Sequence, residues 1–312
     1  MINKAEANFN LSEIFRKRRN FAKDKANYNL ELCFKNENFK KSFNTVRSLQ
    51  FDLAKAEENS KTAKEIENKI EQERKVLNAE LKKCGFTKEQ LKPQYSCPKC
   101  NDLGFVNGKE CSCYKLEKNK IYLAECGINK QTLPSFKTAN FDIFENETET
   151  KKLYELAQNY ILKFNESKKQ NFIICGKTGV GKTYLTECML NEAVNNNIFS
   201  IYLTAFNLNQ TFLEYHLAKL TDKNKILDPL LTCDLLVIDD LGSENKMKNV
   251  TIEYLYLVLD TRLRNNLKTI ITTNLTPEQV QDVYEDRVFS RIFNKQVSVV
   301  INMTGNDLRF KK

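Results

Sequence analysis

Eight residues near the middle of the chain have the types and spacing needed to hold a string of phosphates. They are Gly176-Lys177-Thr178-Gly179-Val180-Gly181-Lys182-Thr183, and they follow the apolar run Phe172-Ile173-Ile174-Cys175. Glycines let backbone N–H groups curl around a phosphate, and a following helix N-terminus adds partial positive charge. Lys182 would reach the β- and γ-phosphate oxygens, and the Thr183 hydroxyl would ligate Mg²⁺. The motif stands between a predicted strand and a predicted helix, so it predicts a nucleoside triphosphate site.

Two carboxylates, Asp239 and Asp240, end a second apolar run at 235–238. A buried strand end would hold Asp239 where it supports the Mg²⁺ shell. Asp240 would stand where a general base orients the attacking water. Many strands end in aspartate, but a pair this far behind a phosphate-binding loop, with one strand between, predicts nucleotide hydrolysis.

Asn274 closes another apolar strand and precedes Leu275-Thr276-Pro277. Its amide could lie between the γ-phosphate and Asp240 and help to hold the water. A turn or cap role suits the position equally well.

Three late arginines are candidates for phosphate contact. Arg287 and Arg291 are four residues apart and so share a helix face. An arginine that contacts the γ-phosphate of a nucleotide bound to a neighbouring copy would make hydrolysis depend on assembly. The alternative is an ion pair within the chain, to Glu285 or Asp286. Arg309 is the one later arginine able to sense the nucleotide from the other side.

Four cysteines in two close pairs, Cys97 with Cys100 and Cys111 with Cys113, flank the segment 105–110. Asn-Gly within that segment predicts a type I′ hairpin, which would fold the second pair onto the first. Four thiolates around one tetrahedral ion predict a structural Zn²⁺ site. A redox pair is the alternative, disfavoured because no βαβ pattern surrounds it.

Predicted strands and helices alternate from about residue 135 onward, and they would position these residues. This alternation predicts a parallel sheet with helices on both faces. The predicted strands are 172–175, 200–204, 235–238, 269–273 and 297–302. The predicted helices lie near 149–165, 182–196, 207–219, 249–265 and 284–293. Residues 114–134 are predicted to be a linker with one short helix.

The segment 43–84 contains neither Gly nor Pro, and its apolar residues recur at helical spacing. We expect two antiparallel helices with a break at 58–62, the second ending at Gly85; one long helix is the alternative. Residues 1–35 are expected to add further helix.

Composition bounds the class of protein. No apolar run approaches the roughly 18 residues of a membrane span, and the first residues do not form a signal peptide. Ten cysteines without a secretion signal indicate a reducing compartment, so we expect a cytoplasmic protein.

Positive charge is concentrated at one end. Residues 1–120 contain 26 Lys and Arg against 17 Asp and Glu, whereas 121–312 contain 23 of each. The basic half could meet nucleic acid or an acidic partner, or could be a solvated lysine-rich helix face.

These motifs occur in the order found in AAA+ ATPases, and the chain resembles bacterial replicative helicase loaders of the DnaC/DnaI type with a zinc-binding N-terminal domain. The resemblance implies an α/β fold, an AAA+ P-loop NTPase with a parallel five-stranded sheet behind a helical region and a four-Cys module. It implies a helical helicase-binding region at 1–90, a zinc module and linker at 91–134, and the ATPase domain at 135–312.

Residue roles also follow from the resemblance. It makes Lys182 and Thr183 Walker A, Asp239 and Asp240 Walker B, and Asn274 sensor 1. Arg291 becomes an arginine finger acting in trans within a homo-oligomer, and Arg309 becomes sensor 2. Many AAA+ proteins have Glu where Asp240 stands.

Function is expected to be ATP-dependent loading of a hexameric replicative helicase, bound through residues 1–120, onto single-stranded DNA, with slow ATP hydrolysis stimulated by helicase or DNA. One alternative is a transposition helper ATPase of the IstB type acting on double-stranded DNA. Another is a binding module in which ATP is a structural ligand. Candidate DNA contacts, with burial in the core as the alternative, are Phe206, Phe212, Tyr215, Lys219, Lys246 and Lys248.

Overall fold

The computed structural model describes residues 4–56 and 60–310. Two compact units divide the chain: residues 12–111 form one, and residues 112–312 together with 1–11 form the other. The second unit therefore begins ahead of the position 135 expected from sequence. Among the described residues, no helix is both long and apolar enough to cross a bilayer.

The unit 12–111 is built on three helices: α1 (Lys4–Phe34, of which residues 12–34 belong to this unit), α2 (Glu37–Lys55) and α3 (Lys61–Lys83). Phe39 at the start of α2 packs with Leu81 at the end of α3, so these two helices are antiparallel as predicted. The predicted break lies partly outside the described residues. Ser60 caps α3 by accepting from the Ala63 N–H at 3.1 Å.

Gly85 ends α3 as predicted. Its φ is +79°, and the Phe86 N–H bonds back to the Leu81 carbonyl at 3.3 Å. Glycine reaches this left-handed conformation without the steric cost that other residues bear.

The unit 12–111 also contains two short strands, β1 (Phe105–Val106) and β2 (Lys109–Glu110). The strands of the unit 112–312 are β3 (Asn171–Gly176), β4 (Ser200–Thr204), β5 (Leu235–Leu241), β6 (Lys268–Thr273) and β7 (Ser298–Met303). They form one sheet in the order β4-β5-β6-β3-β7, and every neighbouring pair is parallel. The helices of this unit are α4 (Ser112–Glu125), α5 (Glu147–Leu162), α6 (Lys182–Asn195), α7 (Ala205–Leu217), α8 (Leu220–Thr232), α9 (Thr251–Arg264) and α10 (Pro277–Phe293). The predicted α/β architecture, a parallel five-stranded sheet with helices on both faces, is confirmed.

Both faces of the sheet are buried, because successive strand residues enter opposite cores. Ile173 of β3 belongs to one hydrophobic cluster, and its neighbours Phe172 and Ile174 belong to the other. Fully buried strands of this kind are typical of parallel sheets covered by helices.

Helix α4 lies where one short helix was predicted within the linker 114–134, and it packs on the edge of the sheet. The buried Asn119 side chain donates to the Ile198 carbonyl at 2.9 Å and accepts from the Ser200 N–H at 2.8 Å. These bonds fix α4 to β4, so this segment is part of the unit that contains the sheet.

Two other helices differ from the prediction. Helix α8 was not predicted, because Pro229 and two aspartates obscured its pattern; its buried Leu227 and Leu230 hold it against the core. Helix α10 begins at Pro277, and Glu285, with φ +65°, divides it. The predicted helix 284–293 corresponds closely to its second half.

Candidate nucleotide site

The loop between β3 and α6 carries the phosphate-binding motif, residues 176–183. Gly181 precedes α6 with φ +95°, so the first N–H groups of the helix lie at the end of the loop. Gly176 is required for a second reason: a Cβ there would lie 2.4 Å from the Met303 carbonyl oxygen on β7. The sequence therefore shapes an anion cradle at the carboxyl end of a central strand.

Lys182 points into this cradle and is only 7% exposed. Its Nζ donates to the Gly176 and Lys177 carbonyls, both at 2.8 Å, and to Asn274 Oδ1 at 2.6 Å. Burial lowers the pKa of Lys182, and the nearby Asp240 and Asp239 act in the opposite direction. A buried ammonium held by neutral oxygens is well suited to receive an anion.

Asp239 is 4% exposed and fully hydrogen-bonded. One carboxylate oxygen accepts from Thr272 Oγ1 at 2.6 Å; the other accepts from Tyr202 OH at 2.7 Å and Thr183 Oγ1 at 3.0 Å. The two residues predicted to hold Mg²⁺ thus lie side by side. A hydroxyl and a carboxylate are oxygen ligands of the kind Mg²⁺ prefers.

Asp240 sits at an irregularity that the sequence did not indicate. Strand β5 continues past the predicted end to Leu241, with a register shift against β6 between Ile238 and Leu241. Asp240 has φ +60°, and its N–H donates to Thr272 Oγ1 at 2.7 Å. This conformation is uncommon outside glycine and is found at functional sites.

Asn274 joins Lys182 to Asp240. Its Nδ2 donates to Asp240 Oδ1 at 2.5 Å, while its Oδ1 accepts from Lys182. The alternative role, capping a helix, is filled by Thr276 instead. Its side chain caps α10 by accepting from the Gln279 N–H at 3.3 Å. One amide therefore aligns a cation and a carboxylate at the cavity wall.

A cavity of about 790 Å³ opens beside these groups. Its walls include Lys182, Thr183, Asp239, Asp240 and Asn274. Its lining also includes a set of residues that is largely aromatic and apolar and that, apart from Phe206, was missed from sequence: Thr138, Asn140, Ile143, Phe144, Tyr154, Phe206 and Leu308. The signal available was the aromatic clustering of 136–144, which no chemical motif marks. A cavity of this size and mixed polarity suits a nucleotide.

Arg309 lines the same cavity from the chain's last described segment. Its Nε and Nη2 bond the Asp307 carboxylate at 2.9 and 2.6 Å. Hydrogen bonding to Arg309 lowers the pKa of Asp307. The segment is fixed to the cradle, because the Leu308 N–H bonds the Gly179 carbonyl at 2.9 Å.

Arg287 and Arg291 do not line the cavity. Arg291 bonds Asp260 at 2.9 Å and the Tyr256 hydroxyl at 3.1 Å, and Arg287 bonds Glu253 at 2.6 Å. Both guanidinium groups lie over the Tyr256 ring, 5.2 and 5.4 Å from its centre.

Ion pairing within the chain was anticipated for these arginines, but their main acidic partners come from α9. Arg287 Nε also lies 3.4 Å from Glu285, one of the two partners expected. Bonding to Arg291 lowers the pKa of Asp260, and bonding to Arg287 lowers that of Glu253.

The candidate DNA contacts separate into two groups. Phe212 is buried, and Tyr215 packs edge-on against Tyr254, so the core role applies to both. Phe206 is 55% exposed and lines the cavity. Lys246 donates to the Val283 carbonyl of α10 at 3.2 Å.

The sulfur atoms of Cys97, Cys100, Cys111 and Cys113 lie within 4.8 Å of one another. Cys97 and Cys111 Sγ are 3.8 Å apart. Thiolates at about 2.3 Å from a tetrahedral Zn²⁺ would be separated by about 3.8 Å, so the donor set and its spacing fit zinc.

Local structure holds this group together. Hairpin strands β1 (Phe105–Val106) and β2 (Lys109–Glu110) pair through the predicted turn, with positive φ at Asn107 and Gly108. Asp102 is fully buried, and its carboxylate accepts from the Cys97 N–H at 2.9 Å. The backbone carbonyl of Asp102 accepts from the Arg19 side chain of α1 at 2.7 Å.

Comparison with known proteins gives one family match. Residues 119–312 match the model of the family described as IstB-like ATP binding protein. This span takes in the sheet, the cavity and both late arginine sites.

Curated relatives match over shorter spans. The chain is 27% identical over 138 residues to the replicative helicase loader DnaC of Escherichia coli K12, covering 44% of this chain and 55% of DnaC. It is 26% identical over 132 residues to the replicative helicase loader DnaI of Bacillus subtilis, covering 41% of each. The chain thus spans about half the length of these relatives. Among solved structures, a crystal structure of DnaI covers 56% of this chain and 90% of its own, with 24% identity and a TM-score of 0.44.

Proposed function

This chain belongs to the family of IstB-like ATP binding proteins, and from that premise we propose that it is a replication ATPase. It would bind ATP with Mg²⁺ in the cavity beside β3 and load a hexameric replicative helicase onto single-stranded DNA. Homology to DnaC and DnaI, both replicative helicase loaders, supports the replication role.

The observation that carries the catalytic part is the line of groups Lys182, Asn274 and Asp240, next to the pair Thr183 and Asp239. Lys182 would neutralise charge on the β- and γ-phosphates, and a bound Mg²⁺ would add to that charge neutralisation. Thr183 and Asp239 are the residues that would hold this ion.

Asp240 would accept the proton of the attacking water, and Asn274 would hold that water or the γ-phosphate in line. Aspartate is one methylene shorter than glutamate, so we expect slow hydrolysis that helicase or DNA stimulates. Arg309 would contact the nucleotide after exchanging its bond to Asp307.

Arg291 supports action in trans, because it lies outside the cavity of its own chain and is only half-buried on α10. A neighbouring copy would receive it at the γ-phosphate, completing a site shared between two subunits. Arg287, bonded to Glu253 and close to Glu285, would support that interface.

Partner binding is assigned to residues 1–120, where the excess positive charge lies. The helical hairpin of α2 and α3 and the zinc module would grip the helicase, leaving the ATPase unit for single-stranded DNA. The second candidate is a transposition helper ATPase acting on double-stranded DNA, which the family name itself favours. The four-Cys module counts against it.

ATP binding and turnover by the full chain test the enzymatic part. Lys182→Ala is expected to abolish both, because the cradle loses its cation. Lys168→Ala is the matched control, since Lys168 is exposed and does not line the cavity, and it should retain both. Turnover that survives Lys182→Ala, or binding without any turnover even with single-stranded DNA and helicase, would contradict the ATPase proposal.

A further inference from the structure

The loop that follows β5, residues 242–250, is tied to α10 through a buried carboxylate. Glu244 is 9% exposed and Tyr284 is fully buried. The Tyr284 hydroxyl donates to one Glu244 oxygen, and the other accepts from the Gly242 N–H at 2.9 Å. Burial and Glu244 raise the pKa of Tyr284, so its hydroxyl keeps the proton that it donates.

A second bond joins the same two segments. Lys246 Nζ donates to the carbonyl of Val283, the residue before Tyr284. Two successive residues of α10 are therefore held by this one loop.

The near end of the loop is the nucleotide site. Ser243 donates to the Asp240 carbonyl through its N–H at 3.1 Å and its hydroxyl at 2.8 Å. Asp240 in turn is bonded by Asn274. Any shift of Asp240 on contact with a γ-phosphate therefore acts directly on the start of the loop.

The far end is the division of α10. Tyr284 immediately precedes Glu285, whose φ of +65° separates the two halves of the helix. The second half carries Arg287 and Arg291. Asp240 and Glu285, both non-glycine residues with left-handed φ, thus stand at the two ends of one hydrogen-bonded connection. Conformations of this kind persist only where the surroundings hold them.

We propose that Glu244 is a positioning residue that couples the nucleotide site to the arginine-bearing half of α10, residues 286–293. The inference rests on the proposed function, in which Arg291 serves the site of a neighbouring copy. ATP bound in the site shifts the position of Asp240. Glu244 transmits that shift through Tyr284 to the segment that carries Arg287 and Arg291. A buried phenol–carboxylate bond is strong enough to carry the change because few competing partners surround it.

A purely structural role would look different. Val280 and Val288 are fully buried on either side of Tyr284, so packing alone would keep α10 in place when the hydroxyl is removed. In that case Tyr284→Phe would leave the response to nucleotide unchanged. The coupling role predicts that folding and ATP binding persist while the response of 286–293 is lost.

Hydrogen–deuterium exchange on the full chain distinguishes these roles, at a concentration where the chain is monomeric. A non-hydrolysable ATP analogue with Mg²⁺ should change exchange in both 177–183 and 286–293 of the unsubstituted protein. In Tyr284→Phe the change in 177–183 should persist and that in 286–293 should fall by at least about half. Tyr254→Phe removes a hydroxyl that contacts His216 instead, and it should behave like the unsubstituted protein.

Other outcomes decide against the proposal in separable ways. Equal responses of 286–293 in the unsubstituted protein and Tyr284→Phe would overturn the coupling and leave ATP binding intact. So would a response confined to 177–183 in the unsubstituted protein. No response in either segment would overturn ATP binding, and with it the proposed function. Glu244→Gln provides the same comparison if Tyr284→Phe does not fold.

Discussion

Asn274 is the residue on which the catalytic proposal depends most closely, because its one side chain contacts both the cation and the candidate base. Its bonds to Lys182 and Asp240, at 2.6 and 2.5 Å, use its acceptor and its donor. An aspartate or an alanine could not make both contacts at once. The amide is therefore matched to a place between opposite charges.

Substitution of Asn274 by alanine should reduce turnover by about 100-fold while ATP affinity changes little, since a positioned donor acts mainly in the transition state. Steady-state hydrolysis and binding of a fluorescent ATP analogue would measure the two effects. Asn302→Ala, at an exposed residue of β7 outside the cavity wall, is the control. Turnover in Asn274→Ala close to that of the unsubstituted protein would contradict this role.

Motif residues of the cavity could be predicted from sequence because their spacing is imposed by phosphate and metal chemistry. Lys182, Thr183, Asp239, Asp240 and Asn274 do line one cavity. The aromatic wall could not be predicted, since shape rather than spacing recruits an apolar surface. The main partners of Arg287 and Arg291, Glu253 and Asp260, were also hidden, because α9 meets α10 only in the folded chain.

At the scale of elements, the cysteine segment brings together a donor set that fits an ion and has little hydrophobic core of its own. Two two-residue strands and one buried aspartate, Asp102, bury little apolar surface. Four thiolates drawn together without a cation would repel one another. Metal binding would therefore supply much of the free energy that orders the segment.

Zinc should copurify at one ion per chain, and Cys100→Ser should reduce that content sharply. Chelation should open residues 95–113 to proteolysis. ATP binding should survive, because its contacts all come from 138–309. Metal analysis and limited proteolysis are the measurements, with Cys84→Ser as the control outside the group. Full zinc content in Cys100→Ser would contradict the assignment.

Strand positions were predicted to within a few residues, because continuous apolar runs leave little choice in a doubly covered sheet. Helix α8 escaped prediction because tertiary burial of Leu227 and Leu230 overrides the local signal of Pro229. The bend at Glu285 was also invisible from sequence. Its left-handed φ depends on what α10 packs against.

Helix α8 also shows how the core fixes what local sequence does not. Arg262 of α9 is fully buried, and its Nη1 bonds the Leu230 and Cys233 carbonyls at 2.6 and 3.0 Å. These carbonyls lie at the end of α8, where unpaired acceptors need donors and a positive charge is favourable. No periodicity in α8 itself would reveal this partner.

At the scale of the whole molecule, the proposal is a site shared between two copies. The cavity of one copy would then receive Arg291 from a neighbouring copy. Mixing two inactive variants tests this. Asp240→Asn keeps Arg291 but lacks the base, and Arg291→Ala keeps the base but lacks the finger. Equal mixtures should recover about a quarter of full activity, because head-to-tail contacts form at random. Mixtures as inactive as either variant alone would contradict sharing.

The proposal assigns different roles to the two parts of the chain. The excess positive charge lies in residues 1–120, proposed to bind the partner, and the cavity residues proposed to bind ATP lie in 138–309. Homology covers chiefly the second part. The partner assignment therefore depends most on direct measurement.

The decisive measurement is mass photometry of the full chain mixed with its host's hexameric replicative helicase, with and without ATP and Mg²⁺. The proposal predicts a discrete assembly of helicase with this chain, and release of the chain after ATP hydrolysis on single-stranded DNA that Lys182→Ala fails to show. Absence of any assembly in every nucleotide state would contradict the loader function. Binding of double-stranded DNA in its place would favour the transposition helper.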